Sequence, residues 1–240
     1  MNRIRLGGLR PLLAASLAAT LACGEDLALP DPSGAALQLS VTSGNGQTGR
    51  VGEPLANPVV IKVSAETGQP VSGRRVAFVV AGEGSGSFDP DTAETNDRGE
   101  AVSLWTLGTV PGAHSGEARL VTDLEAPPHA QFQGTAVAGT PDTIRAMSPT
   151  SQSGRRGEPA ESPLVVLAVD RFGNPVSGVT IRWAVTVGEG QVSQQQTPTG
   201  DDGMASVTWE LGGRIGVQRV TASLEGVSGS PVTFSATVLF

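Results

Sequence analysis

The sequence predicts an all-β protein: two tandem antiparallel β-sandwiches behind an N-terminal signal segment. Three observations carry that reading. First, the chain repeats itself. "QTGRVGEPLANPVVIKVSAETGQPVSG" (47–73) aligns without gaps on "QSGRRGEPAESPLVVLAVDRFGNPVSG" (152–178), and "TNDRGEAVSLWTLGTVPG" (95–112) aligns on "TGDDGMASVTWELGGRIG" (199–216). A repeat of 105 residues is too long for a solenoid unit and matches a whole sandwich domain. Second, apolar and polar residues alternate with period two, the pattern of a strand with one buried face. Third, no helical apolar stripe follows the N-terminal segment, whereas Gly 32 and Pro 17 among 240 residues supply many turns.

The elements follow in order. Residues 1–22 carry Arg3, Arg5 and Arg10, then an apolar run from Pro11 to Ala22. That run is shorter than the roughly 20 residues a spanning helix needs, so it reads as a secretory signal peptide. The stretch Thr20-Leu21-Ala22-Cys23 resembles the lipobox of bacterial lipoproteins, with Thr20 where leucine is usual. The resemblance implies that Cys23, the only cysteine, is lipidated and becomes the mature N-terminus. Gly24 after it, where Asp would be the alternative, permits sorting to the outer membrane by the same resemblance. The membrane is thus an expected partner, through an N-terminal lipid. Residues 23–36 are polar and proline-bearing and read as a tether.

Two domains are expected at 37–138 and 143–240, joined by a linker at 139–142. In the second, Ala205, Val207, Trp209 and Leu211 should face the core while Ser206, Thr208 and Glu210 face water. Ile181, Trp183 and Val185 repeat the pattern, as do "VTASL" (220–224) and "VTFSA" (232–236); Val76, Phe78 and Val80 answer in the first. The phrase "GQPVSG" (68–73), echoed as "GNPVSG" (173–178), lies between two such strands. It reads as one hairpin connection written twice, with Pro70 and Pro175 at the first corner. "GEG" at 82–84 aligns with "GEG" at 188–190, one residue being added between the landmarks.

"DRFGNPVSGVTIRW" (170–183), "TGDDGMASVTWELG" (199–212) and "GVQRVTASL" (216–224) resemble the signature phrases of the bacterial Ig-like domain of group 1, the invasin/intimin type. The first domain departs from them. Ala65 and Thr67 stand where the second has Asp170 and Phe172, and "GAHSGEARL" (112–120) replaces "GVQRVTASL". The resemblance implies immunoglobulin-like sandwiches used as a cell-surface stalk or adhesive module, and it brings no catalytic residues. Fold alone names no ligand.

Chemistry finds little support in the sequence. Formal charge is −7 and becomes −10 once residues 1–22 are removed, which disfavours nucleic acid as a partner. Only two histidines occur, His114 and His129, too few for a zinc site, and no GxSxG elbow is present. Asp89, Asp91, Glu94, Asp97 and Glu100, with Asp201 and Asp202 in the second domain, invite a calcium reading. The simpler reading puts Asp97 and Asp202 in turns before strands starting at Glu100 and Met204, cornered by Gly99 and Gly203. Arg74-Arg75 and Arg155-Arg156 lack aromatic neighbours that would stack bases. No cofactor, metal or catalytic residue is assigned. The expected function is a non-enzymatic extracytoplasmic lipoprotein at the outer membrane or cell surface, acting as spacer, adhesin or partner-binding module with a protein or surface-glycan partner. A carbohydrate- or surface-polymer-binding module is the alternative, and a small hydrolase the third reading.

Overall fold

The computed structural model describes residues 37–82 and 84–240. The signal segment, the tether and Cys23 lie outside the described residues. Strands and turns make up everything described.

The first sandwich contains β1 (Leu37–Ser43), β2 (Gln47–Arg50), β3 (Val59–Ala65), β4 (Arg75–Val80), β5 (Ser87–Asp89), β6 (Thr92–Glu94), β7 (Glu100–Thr106), β8 (Gly112–Leu120) and β9 (His129–Val137). Its sheets run β1-β3-β7-β5 and β2-β9-β8-β4-β6. The second contains β10 (Pro141–Ala146), β11 (Ser151–Arg155), β12 (Leu164–Asp170), β13 (Thr180–Val187), β14 (Gln191–Val192), β15 (Gln196–Pro198), β16 (Met204–Val207), β17 (Trp209–Glu210), β18 (Gly216–Ser223) and β19 (Val232–Leu239). There β10-β12-β16, with the pair β14-β17, faces β11-β19-β18-β13-β15. Each sandwich has one parallel strand pair: β2 runs parallel to β9, and β11 to β19.

Period-two alternation decides what is buried. Ala205, Val207, Trp209 and Leu211 are buried while Ser206, Thr208 and Glu210 are exposed. Val76 and Phe78, Ile181 and Trp183, and Val232, Phe234 and Ala236 are likewise buried. The buried apolar residues form two separate clusters, one within 51–136 and one within 144–238. In the first, Trp105 meets Phe88 and Phe132 at ring separations of 5.3 and 5.5 Å. In the second, the Trp183 and Phe234 rings lie 6.2 Å apart.

The repeated Gly-Pro phrase is not a hairpin, because β3 and β4 lie in different sheets, as do β12 and β13. The segment is a sheet-to-sheet crossover. A tight turn closes first, with the Gly68 and Gly173 N–H groups donating to the carbonyls of Ala65 and Asp170. Pro70 and Pro175 follow that turn, opposite Ser64 and Val169, and do not occupy its first corner. A threonine on the other sheet then secures the crossing. Thr95 Oγ1 donates to Val71 O at 2.8 Å and Thr199 Oγ1 to Val176 O at 2.7 Å. Their own carbonyls accept from the Gly73 and Gly178 N–H groups.

The "GEG" alignment also changes. Phe88 lies opposite Trp105 and Val192 opposite Trp209, so Gly84-Ser85-Gly86 superimposes on Gly188-Glu189-Gly190. A Cβ on Gly86 or on Gly190 would collide with backbone of the facing strand, which is why glycine occupies both.

Candidate functional site

Asp170, the last residue of β12, and Asn174 bracket a tight turn, and local chemistry explains it. The Asp170 carboxylate accepts from the N–H groups of Phe172 and Asn174, each at 2.9 Å, as Asx turns do. Asn174 Nδ2 donates to the same carboxylate at 2.9 Å. A third backbone donor comes from the linker: Gly139 N–H reaches Asp170 Oδ2 at 2.9 Å. Asp170 is only 2% exposed. Burial works to raise its pKa, but the hydrogen bonds from the Asn174 amide and from the Gly139, Asn174 and Phe172 N–H groups outweigh it, so the carboxyl is held below its ordinary value.

The turn projects onto the first sandwich, with which residues 139–240 share one compact unit. Asn174 Nδ2 donates to Thr109 O at 2.8 Å, and an Arg171 guanidinium nitrogen lies 3.5 Å from Gly52 O. The Phe172 ring lies against Gly52, where any Cβ would overlap it. The Arg171 guanidinium stands 4.6 Å from the centre of the Phe172 ring, which aligns both side chains along the joint. A small cavity of about 100 Å³ remains between Val51, Glu53, the linker and Phe172. The joint is therefore a hydrogen-bonded clasp: one carboxylate fixes the linker and the turn, and the turn grips the rim of the neighbouring sandwich.

The first sandwich has the same turn without the clasp, since Ala65, Glu66, Thr67 and Gln69 replace Asp170, Arg171, Phe172 and Asn174. Sequence reading records the departure at Ala65 and Thr67. It misses the role, because the carboxylate's partners lie on the linker and on a distant loop.

The acidic run is not brought together. Asp89 sits on β5, paired across from Leu104, while Glu94 sits on β6 opposite Arg75 in the other sheet. Asp202 Oδ1 accepts from Met204 N–H at 2.9 Å, and Gly99 and Gly203 have φ of 73°, as the turn reading expects. Among the described residues no three His, Cys, Asp or Glu side chains gather as metal ligands. His129 is exposed. His114 is buried, its Nε2 2.8 Å from Val110 O. A shallow depression of about 380 Å³ beside Arg182, Gln196 and Glu225 has no aromatic lining.

Comparison with known proteins follows the fold. No curated protein sequence matches the chain. Among solved structures it is similar to FdeC, a broadly conserved Escherichia coli adhesin, at TM-score 0.54 and 20% identity over 85% of this chain and 63% of that one. The chain thus spans less than two thirds of that protein's length. It also matches the D0-D1 domain of intimin (TM-score 0.31, 20% identity, 82% of this chain and 95% of that one). A third match is invasin, a bacterial integrin-binding protein (TM-score 0.37, 20% identity, 85% and 39%). At such identities the likeness is one of fold. The family model of the bacterial Ig-like domain (group 1) matches residues 159–237.

Proposed function

We propose that this chain is a non-enzymatic surface module, held outside the cytoplasm by a lipid on Cys23, whose two Ig-like sandwiches act as a stiff spacer or adhesive unit. The clasp at Asp170 and Asn174 is the observation that carries the reading. Domains joined by a bare Gly/Pro linker move relative to one another by default. Here a buried carboxylate holds the linker N–H and the turn, and the turn bonds to the first sandwich. Such a joint transmits orientation and load, which a spacer or a presented adhesive surface requires. The adhesin fold of FdeC agrees with that use. The partner would be a surface protein or glycan on the outer membrane or a neighbouring cell.

Small-angle scattering tests the mechanical claim. The wild type should give a narrow distribution of inter-domain distances, and Asp170→Ala with Asn174→Ala a broad one with both sandwiches still folded. Identical curves would refute a clasped joint. The anchor has its own test: labelled palmitate should enter the wild type in a Gram-negative host and not a Cys23→Ser chain.

A further inference from the structure

Each sandwich ends in one rim built from the turn after its second strand and the loop before its penultimate strand, β8 in the first and β18 in the second. The two rims are equivalent, for Gly52 N–H donates to Leu107 O and Gly157 N–H to Leu211 O. The first rim carries Val51, Gly52, Thr109 and Val110 and receives the clasp. At the same positions the second carries Arg156, Gly157, Gly213 and Arg214, all exposed. The replacement of Val51, 1% exposed, by Arg156 marks this rim as built for something other than another such joint.

Its surroundings extend the contrast. On the outer face of β11, β19 and β18, Arg155 lies opposite Leu239, Val217 opposite Thr237, and Arg219 opposite Ser235. Leu239, Val217 and Ile215 are 53%, 50% and 43% exposed. Four arginines, Arg155, Arg156, Arg214 and Arg219, thus share this end with three exposed aliphatic side chains and with Phe240, 89% exposed. The acids at this end are Glu158 and Glu189, with Glu210 on the opposite sheet. Away from this end both sandwiches are acidic: the first holds 11 acidic against 6 basic residues over 37–138, and the second 9 against 7 over 139–240 even with the four rim arginines counted. An acidic body with a basic tip has a charge asymmetry that turns the tip toward an extended anionic surface.

We propose that this rim docks on anionic lipid headgroups, the arginines taking phosphate oxygens and Leu239, Val217 and Ile215 entering the headgroup boundary. Arginine around exposed aliphatic side chains, with the exposed Phe240 beside Leu239, is the composition of a surface that lies in the headgroup boundary. The chain enters the first sandwich at Leu37, paired with Ala65 at the end away from the joint, so the rim is the opposite extremity of the described residues.

The test is vesicle flotation of the full chain in a Cys23→Ser background, so that no fatty chain carries it to lipid. Phosphatidylcholine vesicles with phosphatidylglycerol should bind it and pure phosphatidylcholine should not, with binding lost at high salt. Arg156→Ser and Arg214→Ser should each weaken binding about fivefold, and Val217→Ser with Leu239→Ser should weaken it further. Arg75→Ser with Arg98→Ser, in the first sandwich, should leave it unchanged. Unaltered thermal unfolding would establish that the exposed-site variants fold. Equal binding to both vesicle types, indifference to the rim substitutions, or retention on heparin without vesicle binding would each overturn the proposal.

Discussion

The side-chain amide of Asn174 bridges two sandwiches: its nitrogen donates to the Asp170 carboxylate at 2.9 Å and to the Thr109 carbonyl at 2.8 Å. The carboxylate in turn satisfies backbone N–H groups of Gly139, Phe172 and Asn174. Replacing Asp170 by Ala leaves those donors without an acceptor at a site 2% exposed. Hydrogen bonds to charged groups contribute about 1.5–3 kcal/mol each, though not additively. Asp170→Ala is therefore expected to lower the stability of the second sandwich by about 2–4 kcal/mol. Urea denaturation followed by tryptophan fluorescence measures this, and a loss under about 0.5 kcal/mol would contradict the clasp.

The same carboxylate predicts a pH dependence. Its pKa is lowered in the folded chain, so the unfolded chain binds the proton more readily. The stabilisation is fully present above the unfolded value of about 3.9 and is lost as pH falls through the lower, folded value. The stability gap between wild type and Asp170→Asn should be flat above about pH 5 and close only in stronger acid. A gap that closes between pH 6 and 8 would assign it to another group.

Much of this fold was legible in the sequence because strand burial is a local property. Trp209 is buried and Glu210 exposed on the strength of neighbours two residues away. The crossover at Gly73 and Gly178 was not legible, since whether β4 pairs with β3 is decided by β7 and β8, which arrive later in the chain. The clasp lay between these extremes. Asp170 against Ala65 is visible as a difference between repeats, but its meaning depends on Gly139 and Thr109, distant in sequence.

The two equivalent tryptophans separate packing from hydrogen bonding. Trp105 Nε1 donates to Ser85 O at 2.9 Å, whereas Trp209 Nε1 is buried without a partner. Truncating either to Ala should cost about 3–5 kcal/mol. Substitution by Phe should distinguish them: Trp105→Phe loses a bond and strands a carbonyl, and Trp209→Phe relieves an unpaired donor. Trp105→Phe should therefore be the more costly by about 1 kcal/mol. Paired calorimetric scans of the two variants measure the difference, and equal costs would show that the bond contributes nothing.

The last prediction uses the internal repeat as its own control. His114 and Gln218 occupy the same place at the start of β8 and β18. Gln218, 1% exposed, accepts from Gly212 N–H and donates to the carbonyls of Gly212 and Arg214. His114 reproduces only the last of these, through Nε2 to Val110 O, and its Nδ1 is buried without a partner. A glutamine at 114 has the reach and the two-sided amide to restore the missing bonds to Gly108. His114→Gln should therefore stabilise the first sandwich by about 1 kcal/mol, while Gln218→His should destabilise the second by a similar amount. The loop between β7 and β8 also carries Thr109, the acceptor of the clasp. If both exchanges lowered the unfolding midpoint, the two sites would not be equivalent, and the loops they support would have to be held by different contacts.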